Sequence, residues 1–196
     1  MTRRNARVVE RVSEPSTWKR IVAGARRHFF AHGFRGVTVD DLAAELGMSK
    51  KTLYAHFRSK PAIVEAAILD KFHELETEME AITSMHTADF VAGLRALLGC
   101  VMRHTAEIQP AFLRDIRRDS PELFEMIDKR RGAIIQRHFG RLFATGRRAR
   151  MIRRDLPTAL LVEVLLAAIQ GVMTPAKITA HAPARRLVRR GLASRR

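Results

Sequence analysis

Between Thr38 and Lys60 the chain gathers side chains suited to one kind of chemistry. They are Thr38, Ser49, Lys50, Lys51, Thr52, Tyr54, His56 and Lys60: hydroxyls, ammoniums, a phenol and an imidazole. No carboxylate interrupts the run from Lys50 to Lys60. Such groups suit binding to a polyanion. Lysine can donate to guanine O6 and N7, so Lys50, Lys51 and His56 are candidates for base edges in a major groove. Thr52 could bond a phosphate or touch a thymine methyl. Thr38 can offer a phosphate its backbone N–H at a helix start.

These residues need elements that hold them still. The pattern predicts a helix over about 39–46, with Thr38 as N-cap and Asp41 three residues on as an acidic form of the capping box. Val39, Leu42, Ala43 and Leu46 share its inner face. Gly47 ends it in a left-handed conformation that other residues adopt at a cost. Met48 plugs the turn, Ser49 caps a second helix over about 50–57, and Leu53 and Phe57 lie four apart on its inner face. A helix this short cannot stand alone in water. A preceding helix, about 17–32, offers Trp18, Ile21, Val22, Ala25 and Phe29 as one apolar face. Ser16 or Thr17 would cap it and Gly33 would end it.

Beyond the turn a long helix is expected from a Ser59 cap to about Ser84. Its stripe is Val64, Ile68, Phe72 (or the stem of Lys71), Leu75, Met79 and Ile82. Further helices are expected near 88–104, 107–118, 121–145, 156–173 and 182–191, punctuated by prolines, with a basic loop over 146–155. Nothing reads as strand. The fold class is therefore all-α. It divides into a basic flexible arm over 1–14, a helix-turn-helix unit over 15–61, and a helical unit over 62–196.

Charge and composition limit the function. The chain has 196 residues, a formal net charge of +16 and 46% apolar residues. Residues 1–60 carry +8 and residues 61–100 carry −5, a basic head on an acidic neck. Such a head is drawn to polyanions, although part of the arginine excess lies far from it. Cys100 is the lone cysteine, so no intrachain disulfide is possible, which suits a reducing cytoplasm. No apolar run approaches the ~20 residues of a membrane span, and the Arg-rich start lacks the apolar core of a secretory leader. No histidine follows a glutamate at the Glu-x-x-His spacing of di-iron bundles. No Gly-rich phosphate loop or nucleophile elbow is present. The expectation is a protein that is not an enzyme and holds neither cofactor nor metal.

One family has these residues at these spacings. Ala25, Phe29, His32-Gly33-Phe34, Thr38-Val39, Leu42-Ala43, Leu46-Gly47-Met48-Ser49, Thr52-Leu53-Tyr54, His56-Phe57 and Ser59-Lys60 run without a gap. Residues 21–69 thereby resemble the DNA-binding domain of the TetR family of transcriptional regulators. Lys51 replaces a residue that is often small there, and Pro61 one that is often acidic. The resemblance implies that Tyr54 and Lys60 bind phosphates of double-stranded DNA. It also implies a C-terminal domain that binds a small-molecule effector and forms a homodimer. The expected function is a sequence-specific, ligand-responsive repressor acting as a dimer on a palindromic operator; the alternative is a ligand-independent, weakly specific DNA binder. Candidate effector-pocket residues are Phe90, Leu94, Leu97, Met102, Phe112, Phe124, Phe139, Phe143, Gln170 and Met173, with His104, Glu107 and Gln170 as possible polar contacts. The stripe Leu160, Leu161, Val164, Leu165, Ala168 and Ile169 is the candidate dimer face.

Overall fold

A computed structural model describes residues 16–86, 89–153 and 155–173. The expected arm and the helix near 182–191 lie outside them, as do the side chains of Ile169, Gln170 and Met173. Among the described residues the chain is all-α: α1 (Thr17–Gly36), α2 (Val39–Glu45), α3 (Lys50–His56), α4 (Lys60–Met85), α5 (Phe90–Ala106), α6 (Pro110–Asp119), α7 (Pro121–Arg148) and α8 (Thr158–Met173).

Helix α1 has a break where the sequence placed its end. Gly33 sits at φ 82°, ψ 167°, a region open essentially to glycine, and one further turn carries the chain to Gly36. Ser16 caps the start by accepting from the Lys19 N–H. The basic loop is shorter than expected. Helix α7 continues to Arg148, so Gly146 and Arg147 are helical and the loop begins at Ala149. The expected helix start near 107 moves to Pro110, whose missing N–H costs nothing in a first turn.

The core runs from the head into the body without a gap. Ile21, Ala25, Phe29, Leu42 and Leu53 bring together α1, α2 and α3. Ile63, Val64, Ala67, Ile68, Phe72, Leu75 and Met79 continue it along α4. With 26 residues, α4 is about 39 Å long. It lies against α1 at one end and against α5 and α7 along the rest. Helix α6 is wedged between α1 and α7. Phe112 of α6 meets Phe30 of α1 edge-on at 5.1 Å. The Gln109 N–H donates to the Phe30 carbonyl, and the Arg35 guanidinium grips both oxygens of Asp119 at 2.6 and 2.7 Å.

His138 is an exception in this core. It is fully buried on α7, and neither ring nitrogen has a hydrogen-bond partner. Glu80 lies 3.8 Å from Nδ1, while Arg137 and Arg141 share the same carboxylate. Burial pushes the imidazole pKa below its ordinary value, against the pull of Glu80 and with the help of the two arginines. The unfolded chain therefore binds more protons at His138 than the folded chain. Its contribution to stability is present above the ordinary imidazole pKa of about 6.5 and is lost as pH falls below it. The slope for one group is at most about 1.4 kcal/mol per pH unit. Thermal melts between about pH 7.5 and about pH 5.5 are expected to show a falling Tm, and His138→Leu should flatten that fall. Identical pH profiles for the two proteins would count against the assignment.

Candidate nucleic-acid interface and internal cavity

Helix α2 is set by its cap. The Thr38 side chain accepts from the Asp41 N–H, and the Asp41 carboxylate accepts from the Thr38 N–H at 2.8 Å and from its hydroxyl at 2.7 Å. These bonds hold the Asp41 carboxyl below the usual carboxylate range. Gly47, at φ 60°, turns the chain toward α3. Ser49 then caps α3 by accepting from the Thr52 N–H at 3.0 Å, and the Ser49 and Thr52 hydroxyls are 2.8 Å apart.

Leu53, fully buried, and Phe57, which stacks on Trp18 at 6.2 Å, fasten α3 to the head. The rest of the helix faces out. Lys50, Lys51, Tyr54, Ala55 and His56 are exposed, and Tyr54 shows 44% of its surface. Lys50 is engaged with Asp40 at 2.9 Å, and that bond raises its pKa. Lys51 forms no ion pair among the described residues. Lys60 lies half-buried with its ammonium over the Phe34 ring, 4.5 Å from the centroid, and burial lowers its pKa. The α3 face is thus a rigid row of cations, a phenol and an imidazole at the end of the molecule. Seven residues in a fixed helix are enough to enter a major groove.

The body encloses a cavity of about 80 Å³ where α1, α4, α5, α6, α7 and α8 meet. Phe30, Ile68, Phe72, Leu75, Phe112, Leu113, Ile127, Ile135 and Leu166 supply apolar wall, and Lys71, His104, Thr105 and Arg131 the polar part. Of the pocket residues expected from sequence, Phe112 lines it. Phe90, Leu97, Phe139 and Phe143 are buried core elsewhere, and Leu94 and Phe124 are half-buried beside that core. Met102 is 65% exposed, so it takes no part in an enclosed pocket. His104 does line the cavity, and Glu107 lies 2.6 Å from the Lys71 ammonium. The sequence reading missed Phe30, Lys71 and Arg131. Helical periodicity marks such residues as core or surface and cannot say which core position borders a void.

Glu78, Cys100 and His104 bring a carboxylate oxygen, a thiol and an imidazole nitrogen within 4.8 Å of one another. Glu78 already bonds His104 Nε2 at 2.8 Å and the Arg103 guanidinium. Burial pushes the Cys100 thiol up to about 12, so it is a neutral thiol at physiological pH. The trio is a hydrogen-bonded link between α4 and α5.

Residues 21–67 match the model for bacterial regulatory proteins of the tetR family. An HTH-type transcriptional regulator of Bacillus subtilis strain 168, YvaF, is 50% identical over 50 residues, a match spanning about a quarter of each chain. The HTH-type transcriptional regulator UidR of Escherichia coli K12 is 28% identical over 161 residues, 80% of each chain. A TetR-family regulator of Thermus thermophilus, PfmR, has the same fold, with TM-score 0.60 and 27% identity over 77% of this chain and 82% of that one. A helix-turn-helix head on an all-helical body, matched by these relatives, places the chain among DNA-binding transcriptional regulators. Residues 21–67, which are α1 to α3 with the start of α4, are thus a DNA-binding domain of the tetR type, and the chain as a whole is similar in sequence and fold to transcriptional regulators.

Proposed function

We propose that the protein is a ligand-responsive repressor that binds a palindromic operator as a homodimer. The observation that carries the reading is the α3 face: exposed, cationic and aromatic, on a helix clamped by Leu53 and Phe57. In this reading residues 1–14 are a basic arm, 15–61 the reading head, and 62–196 the effector-binding and dimerisation domain. Lys51 and His56 meet base edges, with Lys50 joining them on leaving Asp40. Tyr54, Thr52 and Lys60 bind phosphates, Lys60 by swinging off the Phe34 ring. Ser49 and Thr38 present helix N-termini to the backbone.

Dimerisation is supported by α8. Leu160 and Val164 are 43% and 61% exposed, and Leu161 and Leu165 only half-buried, an apolar face too large to leave in water without cost. Two heads one DNA turn apart, ~34–36 Å, would read a palindrome. An effector in the cavity touches α4 and α1 together, so filling it tilts the heads and changes that spacing. A 100-fold preference for one state corresponds to about 2.7 kcal/mol.

The direct test is a gel-shift comparison of the gene's own upstream region with random DNA at ~150 mM salt. Strong preference for the upstream region is expected; equal affinity would favour a weakly specific DNA-coating protein instead. Lys51→Ala should cost about 1–3 kcal/mol on the operator and little on random DNA. Lys60→Ala should weaken both about equally and make the salt dependence less steep. A Lys51→Ala loss of the same size on random DNA would remove it from base recognition.

A further inference from the structure

Six buried side-chain nitrogens among the described residues lack a hydrogen-bond partner, and three of them belong to residues lining the cavity between α1 and α8: Lys71 Nζ, His104 Nδ1 and Arg131 Nε. Lys71 is 3% exposed and His104 7%. Lys71 is ion-paired with Glu107 at 2.6 Å, which engages at most one of its three ammonium N–H groups and leaves the others to donate. A buried donor without an acceptor is costly, and a buried cation more so. Apart from Thr105, whose hydroxyl donates to the Val101 carbonyl, the other walls are phenylalanine, leucine, isoleucine and valine. Donors of this kind in an apolar shell call for a ligand that is mostly hydrocarbon and ends in an acceptor.

The geometry points to an apolar carboxylic acid as the effector, its carboxylate held by Lys71 and Arg131 and its hydrocarbon body in the cavity. This rests on the reading of the cavity as the effector site. It also names how occupancy reaches the head. Glu107 bridges Lys71 of α4 and Arg26 of α1, at 2.6 and 3.3 Å, and Arg26 further bonds Asp70 and Glu74. A ligand carboxylate on Lys71 competes with Glu107, and the bridge to α1 loosens. Phe30 carries the other half of the signal, since it belongs to α1 and forms part of the cavity wall. Charge-assisted bonds to a buried ammonium are among the stronger hydrogen bonds, which is why the head group can select the ligand.

Calorimetric titration of the full chain with straight-chain carboxylates from butanoate to dodecanoate, each beside the alcohol and the amine of equal length, tests this. At the best length the carboxylate is expected to bind at least about tenfold more tightly than the alcohol, and the amine more weakly still. Lys71→Met should lower carboxylate affinity to that of the alcohol and leave the alcohol unchanged. Glu107→Gln should tighten the carboxylate by removing its competitor. Circular dichroism melts confirm that each variant is folded. Equal affinity for carboxylate and alcohol would overturn the head-group assignment and leave the effector site standing. Binding by none of the three series, or binding unaffected by Phe112→Trp, which fills the cavity, would overturn the effector site itself.

Discussion

Leu53→Ala is expected to remove about 2–5 kcal/mol of stability and abolish DNA binding. Leu53 is fully buried and is the main anchor of α3, a helix of seven residues. Truncation loses the transfer free energy of three carbons and leaves a void under a helix that has no means of its own to persist. A domain of this size is stable by only about 5–15 kcal/mol, so the loss is a large fraction of the total. The working side chains of α3 are untouched by the change, yet they lose their fixed angle. Denaturant titration and gel shift measure the two effects. A variant that keeps wild-type operator affinity would show that the neighbouring contacts of Phe57 and Trp18 suffice to hold the helix.

Phe112→Ala is expected to cost about 3–5 kcal/mol. The Phe112 ring is fully buried, packs edge-on against Phe30, and walls the cavity. Removing it merges a ring-sized void with the existing space. The enlarged void has room for a small aromatic molecule against its phenylalanine, leucine and isoleucine wall. Benzene or toluene is therefore expected to raise the Tm of Phe112→Ala more than that of the parent protein. The substitution also cuts one of the links between α6 and α1, so head and body should melt less cooperatively. Equal Tm shifts in the two proteins would mean that the site collapses after truncation, and a cost well under the stated range would mean the same.

The reading head was legible in the sequence because its determinants are local. Thr38 and Asp41 are three residues apart, and their reciprocal cap forms whatever surrounds it. Gly47 at φ 60° answers a turn that asks for glycine, and Leu53 and Phe57 at a spacing of four can only share a face. The same locality gave the stripe of α4. The end of α1 was displaced in name only: Gly33 breaks the helix as expected, and one more turn follows it.

The cavity was not legible, because its wall comes from six helices and no local pattern records which core residues face a gap. Periodicity placed Phe29 on the inner face of α1 and left Phe30 off it, yet Phe30 is also buried and borders the cavity. Lys71 read as a stem beside a stripe, and only its 2.6 Å approach to Glu107, thirty-six positions away, reveals a buried cation. Met102 was expected in the effector pocket and is 65% exposed among the described residues, because which side of α5 faces the cavity is set by packing and not by residue type.

The sequence by itself determined the helices, their caps and the cationic face of α3, because spacing of a few residues along one chain specifies each of them. Only the tertiary structure decided that Arg26, Lys71 and Glu107 form one bridge between head and cavity, and that His138 is buried without a partner. Those facts depend on the distances between α1, α4, α5 and α7, which packing sets and periodicity does not encode.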